Sequence, residues 1–312
     1  MSDIALAYQN RDIHGWLGTT NPDLAAEQTA IAVAKMPQFK IVGSSVPTGK
    51  SMLYLICRKL LGKDTPNYPQ KIGDCVSFGA KNAAEYLQCC DIVSRNAMEE
   101  WRPVFPPYFY GTGRVYVGKG QMDGNDGSSG SWMAQAVKED GTLFADEAGV
   151  PAYSGDIAEQ WGNSRYRSVL DKWKPTATNY LIKTTALISS WEDLTTALDN
   201  NFPCTTASDV GYNMEPSSDG FHRHTTNWSH QVCFIGHGTY PEPYAVILNN
   251  WADVHGHLKD FDDGHDLPVG VLRVRKADAM KHIAAGETFA YSNMHGFPAT
   301  TIPHELFKIA GT

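Results

Sequence analysis

The run Lys71-Ile72-Gly73-Asp74-Cys75-Val76-Ser77-Phe78-Gly79-Ala80 sets a single cysteine where a glycine-bounded turn enters a helix. Val76, Ala80, Ala83 and Leu87 recur at helical spacing and predict a buried helix that begins at or just before Cys75. In a first helical turn the unpaired N–H groups and the dipole favour thiolate, the form that attacks a carbonyl carbon. Asp74 reads as the N-cap, and its charge opposes that effect, so the thiol needs a cationic partner. His230 is the candidate, because it opens the apolar run His230-Gln231-Val232-Cys233-Phe234-Ile235-Gly236, which reads as a buried strand. A second strand, Tyr244-Ala245-Val246-Ile247-Leu248, ends in Asn249-Asn250-Trp251. Pairing Ile235 with Tyr244 in an antiparallel hairpin sets His230 opposite Asn249, whose amide oxygen can then accept the imidazole N–H and fix its tautomer.

The elements that must position these groups follow in a particular order along the chain. Ser128-Ser129-Gly130-Ser131, then Gly141-Thr142-Leu143 and Ala148 to Tyr153, lie between the cysteine and the histidine. Trp191-Glu192-Asp193-Leu194 to Cys204 reads as a helix followed by a strand.

Together these segments resemble the papain-like cysteine peptidases over residues 66–295. The family's order is a cysteine at a helix start, a histidine on a strand, and an asparagine followed one residue later by tryptophan. The resemblance implies an α+β fold in two lobes, a helical lobe and an antiparallel β-rich lobe, with the active-site cleft between them. It implies Cys75 as nucleophile, His230 as base and acid, Asn249 as its orienter, and Gln70 with the Cys75 N–H as the oxyanion hole. Gln70 stands one residue nearer the cysteine than the family spacing. Ser129 and Gly130 would line the substrate cleft, and Trp251 would shield the His230–Asn249 hydrogen bond. The implied substrate is a peptide or protein, and the chemistry requires no cofactor and no metal. Val76, Ala252 and Ile72 stand where family members commonly carry tryptophan, glycine and, in secreted members, a disulfide cysteine, which marks a divergent member. The second reading is a papain-like attachment module without activity, for instance in a phage particle.

Residues 1–65 do not look like the helical inhibitory pro-segment of secreted relatives. They are expected to form an extension that covers the cleft, braces the fold or binds a partner, and residues 296–312 a C-terminal tail. Within the extension, Phe39-Lys40-Ile41-Val42 reads as a strand and Met52 to Ile56 as a helix start, with Gly43-Ser44-Ser45-Val46-Pro47-Thr48-Gly49-Lys50-Ser51 between them. This resembles a phosphate-binding loop, but five residues rather than four separate Gly43 from Gly49, and Pro47 removes a backbone donor, so a surface loop is expected. Asp253-Val254-His255-Gly256-His257, with Asp260, Asp262, Asp263, His265 and Asp266, has the residue types of a metal site but the composition of a solvated loop.

Twenty-six basic against 34 acidic residues give a net charge of −8, with no basic stripe, which argues against nucleic acid as partner. No apolar stretch approaches a membrane span, and the start lacks the pattern of a secretory signal. Six cysteines without regular spacing predict no disulfide framework. The expected setting is the cytoplasm or a virion, with a second copy of the chain or a virion component as partner besides substrate.

Overall fold

In a computed structural model of the chain, residues 15–35, 49–95, 99–252 and 255–294 are described. A short helix α1 (Leu17–Thr20) and the longer α2 (Pro22–Lys35) come first. They are followed by β1 (Ser51–Met52), α3 (Leu53–Leu61) and the long helix α4 (Cys75–Arg95). The helical lobe continues with α5 (Pro106–Thr112), α6 (Gly130–Glu139), α7 (Gly155–Trp161) and α8 (Arg167–Ala177). The β-rich lobe comprises β2 (Ile182–Leu187), α9 (Trp191–Asp199), β3 (Cys204–Tyr212), β4 (His224–Gly238), β5 (Tyr244–Leu248), β6 (Val271–Arg275), α10 (Lys276–Ala284) and β7 (Glu287–Met294). The strands pair antiparallel in the order β2-β7-β3-β4-β5-β6, and β1 pairs with β4. This is the α+β, two-lobed architecture expected from the sequence.

Helix α4 is buried on more than its apolar stripe. Val76, Ala80, Ala83 and Leu87 are in the core, and so are Lys81 and Glu85 from its polar face. Lys81 Nζ reaches Glu85 at 2.8 Å and the Pro66 carbonyl at 2.9 Å, and Glu85 also accepts from the Val104 amide at 3.0 Å. Interior charges persist when each is paired and hydrogen-bonded in this way. At the helix start, Gly79 lets α4 meet β4, because a Cβ there would stand 2.8 Å from the Gln231 side chain.

Strand β4 differs from its sequence reading in two respects. It begins at His224, so His230 lies mid-strand, opposite Ser208 of β3. Cys233 pairs with Leu248 and Phe234 with Ile247, with a register shift before Gly236. His230 and Asn249 are therefore not opposite one another. The offset is two residues at the site end of the hairpin, and a two-residue slip leaves side chains on the same face of a sheet. Asn249, just beyond β5 and held by its amide to the Gly270 carbonyl at 3.0 Å, still reaches the imidazole.

The phosphate-loop and metal-loop patterns share one explanation. Lys50 binds Asp260 at 2.6 Å and Asp262 at 2.7 Å, so the lysine of one decoy pins the acids of the other. Residues 36–48, which include the Phe39–Val42 strand and most of the glycine-bearing loop, lie outside the described residues, as do 296–312. Ser51 and Met52 pair with His237 and Gly236, and Leu53, Tyr54 and Cys57 enter the core. This stretch is therefore built into the body of the fold rather than appended to it. The aromatic run Pro106 to Tyr110 packs inside α5, and no described helix is long and apolar enough to cross a membrane.

Candidate active site

The turn before α4 is set by backbone. The Asp74 amide donates to the Ile72 carbonyl, and the Ser77 and Phe78 amides donate to the Asp74 carbonyl. The Asp74 side chain accepts from the Tyr153 hydroxyl at 3.1 Å, and burial pushes its carboxyl well above the usual range. That reduces the negative charge beside Cys75. The thiol itself is buried, and burial pushes it up to about 12; the Gln231 and Gly15 amides oppose the shift and Asp74 adds to it. In this covered state the cysteine is a neutral thiol, not the thiolate expected from its place in the helix, because desolvation outweighs the dipole.

Strand β4 brings the residues next to that thiol. The Gln231 amide faces the Cys75 sulfur, and the Gln231 side chain donates to the Val76 carbonyl at 2.9 Å. Its neighbour His230 places Nε2 2.7 Å from Asn249 Oδ1. Trp251 lies over this bond with its ring centroid 4.4 Å from that of His230, and Trp228 packs on Trp251 at 4.7 Å.

The orientation of Asn249 has its own support. Its Nδ2 lies 2.5 Å from His255 Nε2. Burial, with His222 and His230 nearby, drives His255 well below the ordinary histidine value, so its ring stays neutral and Nε2 can accept. An amide that donates to His255 must turn its oxygen to His230, so the His230 Nε2 carries the proton and Nδ1 is left as the basic nitrogen. His255 is thus buried in a chain of three hydrogen-bonded side chains, His230, Asn249 and His255, rather than in the solvated loop expected from composition.

Gly15, Trp16 and Leu17 cross this assembly. Gly15 O accepts from Ser128 N at 2.7 Å, Leu17 N donates to Ser128 O at 2.9 Å, and Trp16 N donates to Ser229 O at 3.1 Å. The segment therefore bridges the wall ahead of α6 and the residue before His230. At the sulfur only a glycine fits, since a Cβ on Gly15 would stand 1.8 Å from Gly73 O. Farther along, Trp16 Nε1 donates to Glu287 at 2.9 Å, Thr29 of α2 donates to Glu287 at 2.6 Å, and Trp132 of α6 donates to Gln28 at 3.3 Å.

The remaining sequence-derived residues fall close by. Gln70 is buried, with its amide on Asn250 O at 3.1 Å and its Nε2 on Ile72 O at 2.9 Å. Ser129 and Gly130 turn toward Glu287, at 2.9 and 2.7 Å, and Ser128 carries the wall's backbone bonds to the covering segment. Ser128, Ser229, Gln231, Glu287 and Gly15 were not singled out from the sequence. Gly15 and Ser128 act here through backbone atoms, which leave no residue-type signal.

The fold is that of the papain-like cysteine proteases. Xylellain, a cysteine protease from Xylella fastidiosa, superposes with a TM-score of 0.54 at 13% identity, over 91% of this chain and 97% of that one. Procathepsin B S9 from Trypanosoma congolense gives 0.57 at 12% identity, over 92% and 88%. The ragweed Amb a 11 cysteine protease in its proform gives 0.51 at 13% identity, over 93% and 77%. No family model and no curated protein sequence matches the chain.

Proposed function

We propose that the chain is a latent cysteine peptidase that hydrolyses peptide bonds once Gly15–Leu17 leaves the cleft. The observation that supports this best is the His230 Nε2–Asn249 Oδ1 bond of 2.7 Å under Trp251, on the strand whose next amide faces the Cys75 sulfur. In the open enzyme His230 Nδ1 takes the thiol proton and Cys75 attacks the carbonyl carbon. The Cys75 N–H and the Gln70 side chain hold the oxyanion. His230 then protonates the departing amine, and water released of its proton by the same ring hydrolyses the thioester.

The intermediate is the direct test. The Gly15→Val chain, in which the covering segment seats less readily, is mixed with internally quenched peptides and quenched in acid, and the products are weighed. The expected result is peptide cleavage with an acyl group on the tryptic peptide that contains Cys75. Cleavage with the acyl group elsewhere would refute the assignment, and intact peptides would favour the attachment-module reading.

His255 gives a second expectation. His255→Leu leaves Asn249 free to flip its amide, and kcat is expected to fall about tenfold or more with little change in KM. His255→Gln offers an acceptor oxygen at a similar reach and should recover most of the loss. Equal rates for both variants would show that the histidine only fills space.

A further inference from the structure

The floor beneath Trp16 is polar, although the visible occupant is mostly hydrocarbon. Glu287, at the start of β7, is 2% exposed and accepts from Trp16 Nε1, Thr29 Oγ, Ser129 Oγ and the Gly130 amide. Beside it Gln231 Oε1 is buried and has no hydrogen-bond partner among the described residues. The two acceptors converge at one glycine: a Cβ on Gly130 would stand 2.7 Å from Gln231 Oε1 and 2.8 Å from Glu287 Oε2. A pocket for an apolar side chain has no use for a carboxylate and an unsatisfied amide oxygen in its floor, because a buried carboxylate has to be supplied with donors and an amide oxygen without one costs free energy.

Departure of the covering segment sharpens the mismatch. Glu287 then keeps the Ser129 and Gly130 donors, which belong to the wall, and loses the Trp16 donor, which belongs to the segment. An indole supplies one neutral N–H, whereas a guanidinium or ammonium supplies several donors and a compensating charge. Trp16 is also the neighbour of Gly15, whose amide faces the Cys75 sulfur. We propose that Glu287 and Gln231 form a specificity pocket that accepts an arginine or lysine side chain of the substrate, one residue removed from the residue at Cys75. The proposal rests on the peptidase reading for its substrate and on the Trp16 contacts for its chemistry. Trp16 itself is a weak, neutral occupant that a cationic side chain displaces.

The covering segment can serve as the probe, so the test does not depend on turnover. Trp16→Arg and Trp16→Leu are made in the full chain, and the rate of iodoacetamide addition to Cys75 is followed by mass spectrometry. Arginine at position 16 should hold the segment down and slow labelling at least about tenfold relative to leucine. Adding Glu287→Gln to both should bring the two rates together. Protection by leucine equal to or better than protection by arginine would overturn the proposal, and this comparison decides even if Glu287→Gln fails to fold. In the Gly15→Val chain, matched peptides with arginine or norleucine are then compared. A preference for arginine of about tenfold supports the pocket. Equal turnover refutes it while leaving the peptidase reading intact. Absence of turnover for either peptide refutes the peptidase reading, and the labelling comparison still judges the pocket.

Discussion

Cys75→Ala is expected to reduce peptide cleavage by at least about 10⁴-fold, measured as kcat/KM in the Gly15→Val background, because no other group can form the thioester. The substitution removes one buried sulfur from the first turn of α4 and leaves the backbone bonds of that turn in place. Its stability cost should be about 1–2 kcal/mol, read as a modest fall in Tm. Cys204→Ala supplies the control. That thiol is equally buried, on β3 and away from Gly15 and Gln231, and burial pushes it well above its ordinary value. Its loss should lower Tm by a similar amount and spare cleavage. Equal activity losses in the two variants would mean that Cys75 matters for packing and not for chemistry.

Gly15→Val should raise both peptide cleavage and Cys75 alkylation relative to the parent chain. The substituted Cβ would stand 1.8 Å from Gly73 O and 2.3 Å from Gly73 C, both backbone atoms that cannot swing aside. Overpacking of this kind costs about 1–3 kcal/mol, which shifts the covered-to-open equilibrium by roughly 5- to 150-fold. Exposure removes the desolvation that pushes the Cys75 thiol up to about 12, so the thiolate fraction near neutral pH rises as the segment leaves. Alkylation should therefore quicken more in Gly15→Val than in the parent at the same pH, and the other buried thiols should keep their slow rates. A Gly15→Val chain with parental labelling would show that the segment does not guard the sulfur.

The parts of the site that could be read from the sequence are those with distinctive side chains in a fixed order. Cys75, His230, Asn249 and Trp251 belong to this class, and the two-residue error in the β4–β5 pairing did not move any of them to the wrong face. His255 reads from composition as part of a solvated loop but is buried, because its role depends on an Asn249 contact that composition does not encode. Glu287 offered no signal at all: its partners Trp16, Thr29 and Ser129 lie 271, 258 and 158 positions away. Ser128 holds the segment through amide and carbonyl groups that every residue carries, and Ser229 adds to its carbonyl a hydroxyl that donates to Trp16 O at 2.6 Å. Lys50 shows the converse, where a suggestive motif dissolves into an ion pair with Asp260 and Asp262.

The direction in which Gly15 lies across the sulfur has a consequence for how long the block can last. Its N–H faces Cys75, and its own carbonyl oxygen is held by Ser128 N at 2.7 Å. Cutting the Gly15–Trp16 bond would require attack at the Gly15 carbonyl, whose oxygen is tied to the Ser128 N–H rather than to the Cys75 N–H and Gln70 side chain proposed to hold an oxyanion. The segment is thus a poor victim of the machinery it obstructs. Under the peptidase proposal, a segment seated in this way would leave and return with its backbone uncut, a renewable safety catch rather than a fuse.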